Sequence, residues 1–185
     1  MNTKKIAIAI LLLCLCLVLP SFAAEPGQPR SIPIPQHGKL ILSVPDTWKQ
    51  SAGKPVDIFP TIVFRPDKGD DFEVYITPLW SVKKDPAFNK PETARSMIES
   101  DLKNMLPQAV EKKAKIEKIK GVYGEGYYFF LTDKAPGPGE YPYAVRAEIV
   151  VGDLLLSVTA LTRSKNSKGI TFTIKALQGA RQTYE

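Results

Sequence analysis

The chain has 185 residues, with 25 Lys and Arg against 19 Asp and Glu, one histidine and a net charge of +6. That balance is mildly basic and well short of a dedicated nucleic-acid binder, so no nucleic-acid partner is expected. It allows at most weak peripheral contact with an anionic membrane or an acidic protein surface.

Lys4 and Lys5 precede an unbroken apolar run from Ile6 to Leu19, and Pro20, Ser21, Phe22 and Ala23 follow. A basic start, an apolar stretch of about 7–15 residues and a small-residue site make a secretory signal peptide. A spanning helix needs about 20 apolar residues, more than this run offers. Ser21 and Ala23 place small side chains where a signal peptidase needs them, so cleavage is expected after Ala23. The only cysteines, Cys14 and Cys16, each follow a leucine, which argues against lipid attachment. Both leave with residues 1–23, and the periplasmic or secreted product then has no thiol and no disulfide. Its Lys and Arg fall from 25 to 23 against 19 acidic residues, a balance of about +4.

Residues 24–37 hold four prolines and read as an extended, poorly packed arm. Residues 38–185 are within the size of a single domain with a real core. "KLILSV" (39–44) alternates Leu40, Leu42 and Val44, which suits a half-buried strand. Pro45 and Asp46 turn the chain, Trp48 packs back, and a loop through Gly53 and Pro55 leads to a strand over "TIVFR" (61–65). "PDKGDD" (66–71) is a hairpin signal, and the returning strand 72–80 points Phe72, Val74 and Ile76 inward.

Ala94, Met97, Ile98, Leu102, Met105 and Leu106 recur at helical spacing. Asn89 is the expected N-cap, Pro91 sits in the first turn, and the helix ends near Pro107. In "EGYYFFLTD" Tyr128 and Phe130 point one way and Tyr127, Phe129 and Leu131 the other, so this strand should be central and covered on both faces. Gly152-Asp153 predicts a type II′ turn between two apolar strands. Ser167 caps a last helix, with Ile170, Ile174 and Leu177 on one face, running to about Gln182. Antiparallel hairpins with separated helices indicate an α+β fold, a mostly antiparallel sheet with helices on its faces.

"LSVPDTW", then "IEKIKGVYGEGYYFFLTD", then the tight final hairpin with its C-terminal helix, resemble the PsbP-like superfamily across about residues 31 to 182. That superfamily includes the extrinsic PsbP proteins of photosystem II, Ran-binding Mog-type proteins and bacterial envelope proteins. The resemblance implies a sheet sandwiched by helices in a non-enzymatic protein that binds or chaperones other proteins. It supplies no catalytic motif and no site residues. The lipid-modified cysteine that tethers some bacterial relatives has no counterpart here.

Chemistry-bearing patterns are sparse. A Ser-His-Asp set would depend on His37, which sits beside Gly38 at the end of the arm, a poor place for a precisely held base. One histidine and no cysteine after cleavage exclude zinc sites of the Cys/His kind, and no cofactor is expected. Asp67, Asp70, Asp71 and Glu73 read as a charged hairpin turn rather than a calcium loop, because their spacing is not that of an EF-hand. The Ser-x-x-Lys matches at Ser51 and Ser81 are followed too closely by Pro55 and Pro86 to open a helix.

Three features remain as partner-binding candidates. "EKKAKIEKIK" carries Lys112, Lys113, Lys115, Lys118 and Lys120, a docking strip for an anionic surface or an edge strand guarded by lysine. Gly137, Pro138 and Gly139 form a loop tip on a rigid scaffold. Trp80, Tyr123 and Tyr141 are read either as lining an exposed aromatic groove or, as is commoner for aromatics at strand spacing, as core. The resulting expectation is a non-catalytic exported accessory protein that engages another envelope or secreted protein. The alternative is a small-ligand or lipid-binding domain with a pocket between sheet and helix. An enzyme using carboxylates such as Glu125 or Glu148 has the least support.

Overall fold

Side-chain alternation builds two sheets. The computed structural model describes residues 27–184; the expected leader, with Cys14 and Cys16, lies outside the described residues. Strands β1 (Gln28–Pro33), β2 (Lys39–Val44) and β10 (Arg181–Thr183) form a small sheet in the order β1-β2-β10. The large sheet holds β3 (Trp48–Ala52), β4 (Ile62–Pro66), β5 (Phe72–Leu79), β6 (Glu117–Lys120), β7 (Glu125–Thr132), β8 (Tyr143–Val151) and β9 (Leu154–Thr162). Its order is β3-β4-β5-β9-β8-β7-β6, and every pairing is antiparallel. Helices α1 (Pro91–Met105) and α2 (Lys168–Gln178) complete the α+β fold expected from the sequence.

The layers follow from the period of two. Val145, Ala147, Ile149 and Val151 of β8 join Leu156, Val158 and Ala160 of β9 in one core with Leu40, Leu42, Ile32 and Leu177. This face of the large sheet is covered by the small sheet and α2. The alternate residues Val150, Leu155, Phe129 and Leu131 pack on the other face against Ala94, Met97, Ile98 and Leu102 of α1. The inward set Phe72, Val74 and Ile76 is buried as expected. Gly152 (φ +63°) opens the β8–β9 turn in the left-handed region, and Val151 pairs with Leu154, as a type II′ turn requires.

Four expectations need correction. Residues 28–34 are extended but not poorly packed: β1 pairs along all of β2, and Ile32 and Ile34 are buried. Pro29 and Pro33 are tolerated because β1 is an edge strand and both face outward. The stretch read as a loop after Trp48 is β3, whose other four residues are exposed and so leave no alternation to read. Helix α2 stops at Gln178, and the chain re-enters the small sheet as β10. The strand β7 has both faces covered but lies second from the edge, beside β6. A smaller difference is at α1, where Lys90 is the N-cap and Asn89 instead donates its side-chain amide to the Gly152 carbonyl at 2.8 Å.

Antiparallel register sorts the connections to two ends. Residues 45–47, 66–71, 133–142 and 163–167 gather at one end of the large sheet. Residues 53–61, 80–90, 121–124 and the Gly152-Asp153 turn gather at the other.

Candidate functional site

At the first end, α2 leaves the sheet beside the β4–β5 hairpin and the turn before β3. Its first turn is fixed by Ser167, whose hydroxyl accepts from the Gly169 amide at 3.1 Å. Gly169 packs closely there: a Cβ would lie 2.7 Å from Cγ of Phe72, so any larger residue must displace that ring. Phe72 packs on Trp48 with ring centroids 4.3 Å apart and the planes tilted by 44°, and Phe172 meets the same indole edge-on at 5.9 Å. These three rings floor an open groove of about 900 Å³. Lys68, Lys168 and Lys175 stand on its walls, exposed and in no ion pair among the described residues, with Asp67 and Asp71 on the rim.

Arg163 closes one side. Its amide donates to the Asp71 carbonyl at 2.9 Å, and its guanidinium donates to the Glu140 carbonyl (2.6 Å), the Gly139 carbonyl (2.8 Å) and the Asp70 carboxylate (2.7 Å). The same guanidinium lies 4.4 Å from the centroid of the Tyr141 ring. One side chain thus ties the Gly137-Pro138-Gly139 tip to the acidic hairpin and to the groove wall. Tyr141 is held above the ordinary tyrosine range, by its burial and then by the charge of Glu73. Glu73 is pushed up by burial, but hydrogen bonds from Arg65 and Tyr75 outweigh this and hold it below the usual carboxylate range.

The lysine candidates divide. Lys112 and Lys113 lie in the chain that crosses the groove end, where Glu111 accepts from the Thr132 amide and hydroxyl, each at 2.8 Å. Lys118 and Lys120 lie on β6, the edge of the large sheet, running away from the tip. Lys115 pairs with Glu117 and Lys118 with Glu125, so two of the five charges are internally compensated. The aromatic groove expected from Trp80, Tyr123 and Tyr141 does not form, because Trp80 and Tyr123 sit at the opposite end from Tyr141.

His37 also differs from expectation. It is held firmly, with Nδ1 2.9 Å from Asp153 Oδ2 and its ring stacked on Trp80 at 4.7 Å. No serine hydroxyl bonds to the ring among the described residues. The carboxylates Glu125 and Glu148 do not share a cleft: the first pairs with Lys118 at the exposed edge, and the second is sealed under α1. No group of three His, Cys, Asp or Glu able to hold a metal ion occurs among the described residues.

No family model matches the chain, and no curated protein matches it. The solution structure of cyanobacterial PsbP (CyanoP) from Synechocystis sp. PCC 6803 superposes with a TM-score of 0.52 at 10% identity, covering 88% of this chain and 96% of that one. The fold is PsbP-like. A crystal structure from Bacteroides thetaiotaomicron VPI-5482 aligns with a TM-score of 0.49 at 11% identity, over 79% of this chain and 46% of that one. The PsbP-like likeness is one of fold and carries no residue roles. The groove residues Lys68, Arg163, Lys168, Phe172 and Lys175 went unread in the sequence, though "SKNSKG" around the helix cap already set lysines at that end.

Proposed function

We propose that the protein is a non-catalytic, exported binding module that holds an acidic, partly apolar segment of another protein in the groove beside α2. The observation that supports this is the groove's composition: an aromatic floor of Trp48, Phe72 and Phe172 under Lys68, Lys168 and Lys175, which enter no ion pair among the described residues and outnumber the rim acids Asp67 and Asp71. Aromatic anchors in a desolvated centre with charge at the rim are the usual anatomy of a protein-binding surface. The lysines select for acidic chemistry and accelerate encounter more than they add affinity. The tip at Gly137–Gly139, braced by Arg163, and Lys112 and Lys113 extend the same end as additional contact surface.

The test is crosslinking of the tagged protein in its own envelope, followed by mass spectrometry. One dominant partner that is lost when Lys68, Lys168 and Lys175 become Glu supports the reading. A partner that survives this reversal contradicts the groove assignment. A second reading, a small anionic amphiphile in the same groove, is favoured by its volume, which lies within the roughly 300–1,000 Å³ of small-molecule sites. It is distinguished by ligand, rather than protein, accompanying the purified chain.

A further inference from the structure

Exposed apolar side chains are concentrated at the end opposite the groove. Among the described residues, the exposed large hydrophobics are Val56, Ile58, Val82, Val110, Val122, Tyr123 and Tyr184. All but Val110 and Tyr184 lie on the connections gathered at that end, and Tyr184 follows β10 beside Asp153.

Two of these apolar tips are built rigidly. Val56 and Phe59 exchange both backbone hydrogen bonds, at 3.0 and 2.9 Å, so Asp57 and Ile58 form a two-residue turn with Asp57 in the left-handed region (φ +53°). Ile58 at its apex is 61% exposed. Likewise Lys84 donates its amide to the Ser81 carbonyl, and Lys84 is left-handed (φ +54°), which leaves Val82 63% exposed at the turn. The two turns are braced against each other where Phe59 meets Trp80 edge-on at 4.7 Å, and Trp80 in turn stacks on His37. Each such apex holds apolar surface in water that transfer to an apolar phase would remove favourably.

The charge around these tips is positive on balance, with five exposed lysines against the exposed acids Asp57, Asp85 and Glu92. Lys54, Lys83, Lys84, Lys90 and Lys120 are exposed and in no ion pair among the described residues. Of the nearby acids, Asp153 is bonded to His37 and Glu125 to Lys118, while Asp57 beside Ile58 and Asp85, which accepts the Ala87 amide, keep their charge and are outnumbered by the lysines. Separate aliphatic tips among lysines that outnumber the acids suit a surface that is soft, apolar beneath and anionic on top. Among the described residues no helix is long and apolar enough to cross a membrane. We infer that this end of the molecule docks on an anionic lipid bilayer, with Ile58 and Val82 entering the interface and the lysines meeting headgroup phosphates. Docked this way, the groove at the opposite end faces away from the bilayer.

The experiment is co-sedimentation of residues 24–185, which contain the whole described fold, with vesicles of equimolar phosphatidylcholine and phosphatidylglycerol. Binding is expected to these vesicles and not to pure phosphatidylcholine, to weaken with added salt, and to fall at least about tenfold in Ile58→Asp with Val82→Asp. Reversal of Lys54, Lys83 and Lys84 to Glu should abolish it with an unchanged melting temperature, since all these side chains are exposed. No binding, or binding indifferent to these substitutions, would overturn the inference. So would attachment only to native membranes whose surface proteins are intact, which would place a protein receptor there instead. Neither result bears on the groove, whose lysines are untouched.

Discussion

Arg146 of β8 donates Nε to the Asp101 carboxylate of α1 at 2.6 Å, joining the helix to the sheet face it covers. The same guanidinium donates to Thr159 (3.1 Å), Ser157 (2.7 Å) and Glu148 (2.8 Å), so a charged network sits inside an otherwise apolar interface. Glu148 is fully buried, and its Oε2 has no partner among the described residues. Breaking one side of such a network leaves the other charge stranded, whereas replacing both sides with apolar groups need not cost stability. Arg146→Met is therefore expected to lose about 3–5 kcal/mol in urea denaturation at about pH 8. Arg146→Met with Glu148→Met should recover most of that loss.

Burial pushes the Glu148 carboxyl up to about 7, more than the nearby Arg146 and Ser157 bring it down. The unfolded chain releases this proton near the ordinary value of 4.5, while the folded chain keeps it to about 7. The contribution is thus fully present below about 4.5 and is lost as pH rises through about 7, on the order of 3 kcal/mol. Glu73, Glu111 and Asp153 are held low and act oppositely, losing stability as pH falls. The difference between wild type and Glu148→Gln isolates the group. Urea melts at about pH 5 and pH 8 should show that difference changing sharply between the two.

Ile32 should behave as a core residue, although it lies in a segment with four prolines. Ile32→Ala is expected to cost about 2–4 kcal/mol, and Ser31→Ala, exposed on the same strand, within about 0.5. Equal, small effects at both positions would show that β1 is not docked.

Gly169→Ala improves helix propensity by about 1 kcal/mol yet drives a methyl into Phe72. Overpacking of this kind costs about 1–3 kcal/mol, so the net change should be destabilising or close to neutral. The displaced Phe72 ring also forms the groove floor, so partner binding should weaken more than stability. Thermal melting and binding measured on the same variant separate the two.

The parts legible in the sequence were those whose burial alternates. Leu40, Leu42, Val44, Phe72, Val74 and Ile76 declared their strands, the Gly152-Asp153 turn its hairpin and Ser167 its helix start. β1 was hidden because its prolines outnumber its buried residues, and β3 because only Trp48 turns inward. β10 was hidden by its brevity. The groove was illegible for a different reason. Its floor comes from three separate elements, and Arg163 acquires its role only when the register brings Asp70, Gly139 and Glu140 to its guanidinium. Loop tips can be read from composition, but which tips share an end depends on strand order.

The most direct measurement is site-specific photocrosslinking from Phe172, with mapping of the captured peptide. Ser100, on the exposed side of α1, serves as the control position. The account predicts one acidic segment of one protein crosslinked from Phe172 and absent from Ser100. A synthetic peptide of that sequence should bind wild type and fail to bind Lys168→Glu with Lys175→Glu. Crosslinks that scatter over unrelated proteins, or that form equally from Ser100, would contradict the assignment of this groove as the binding site.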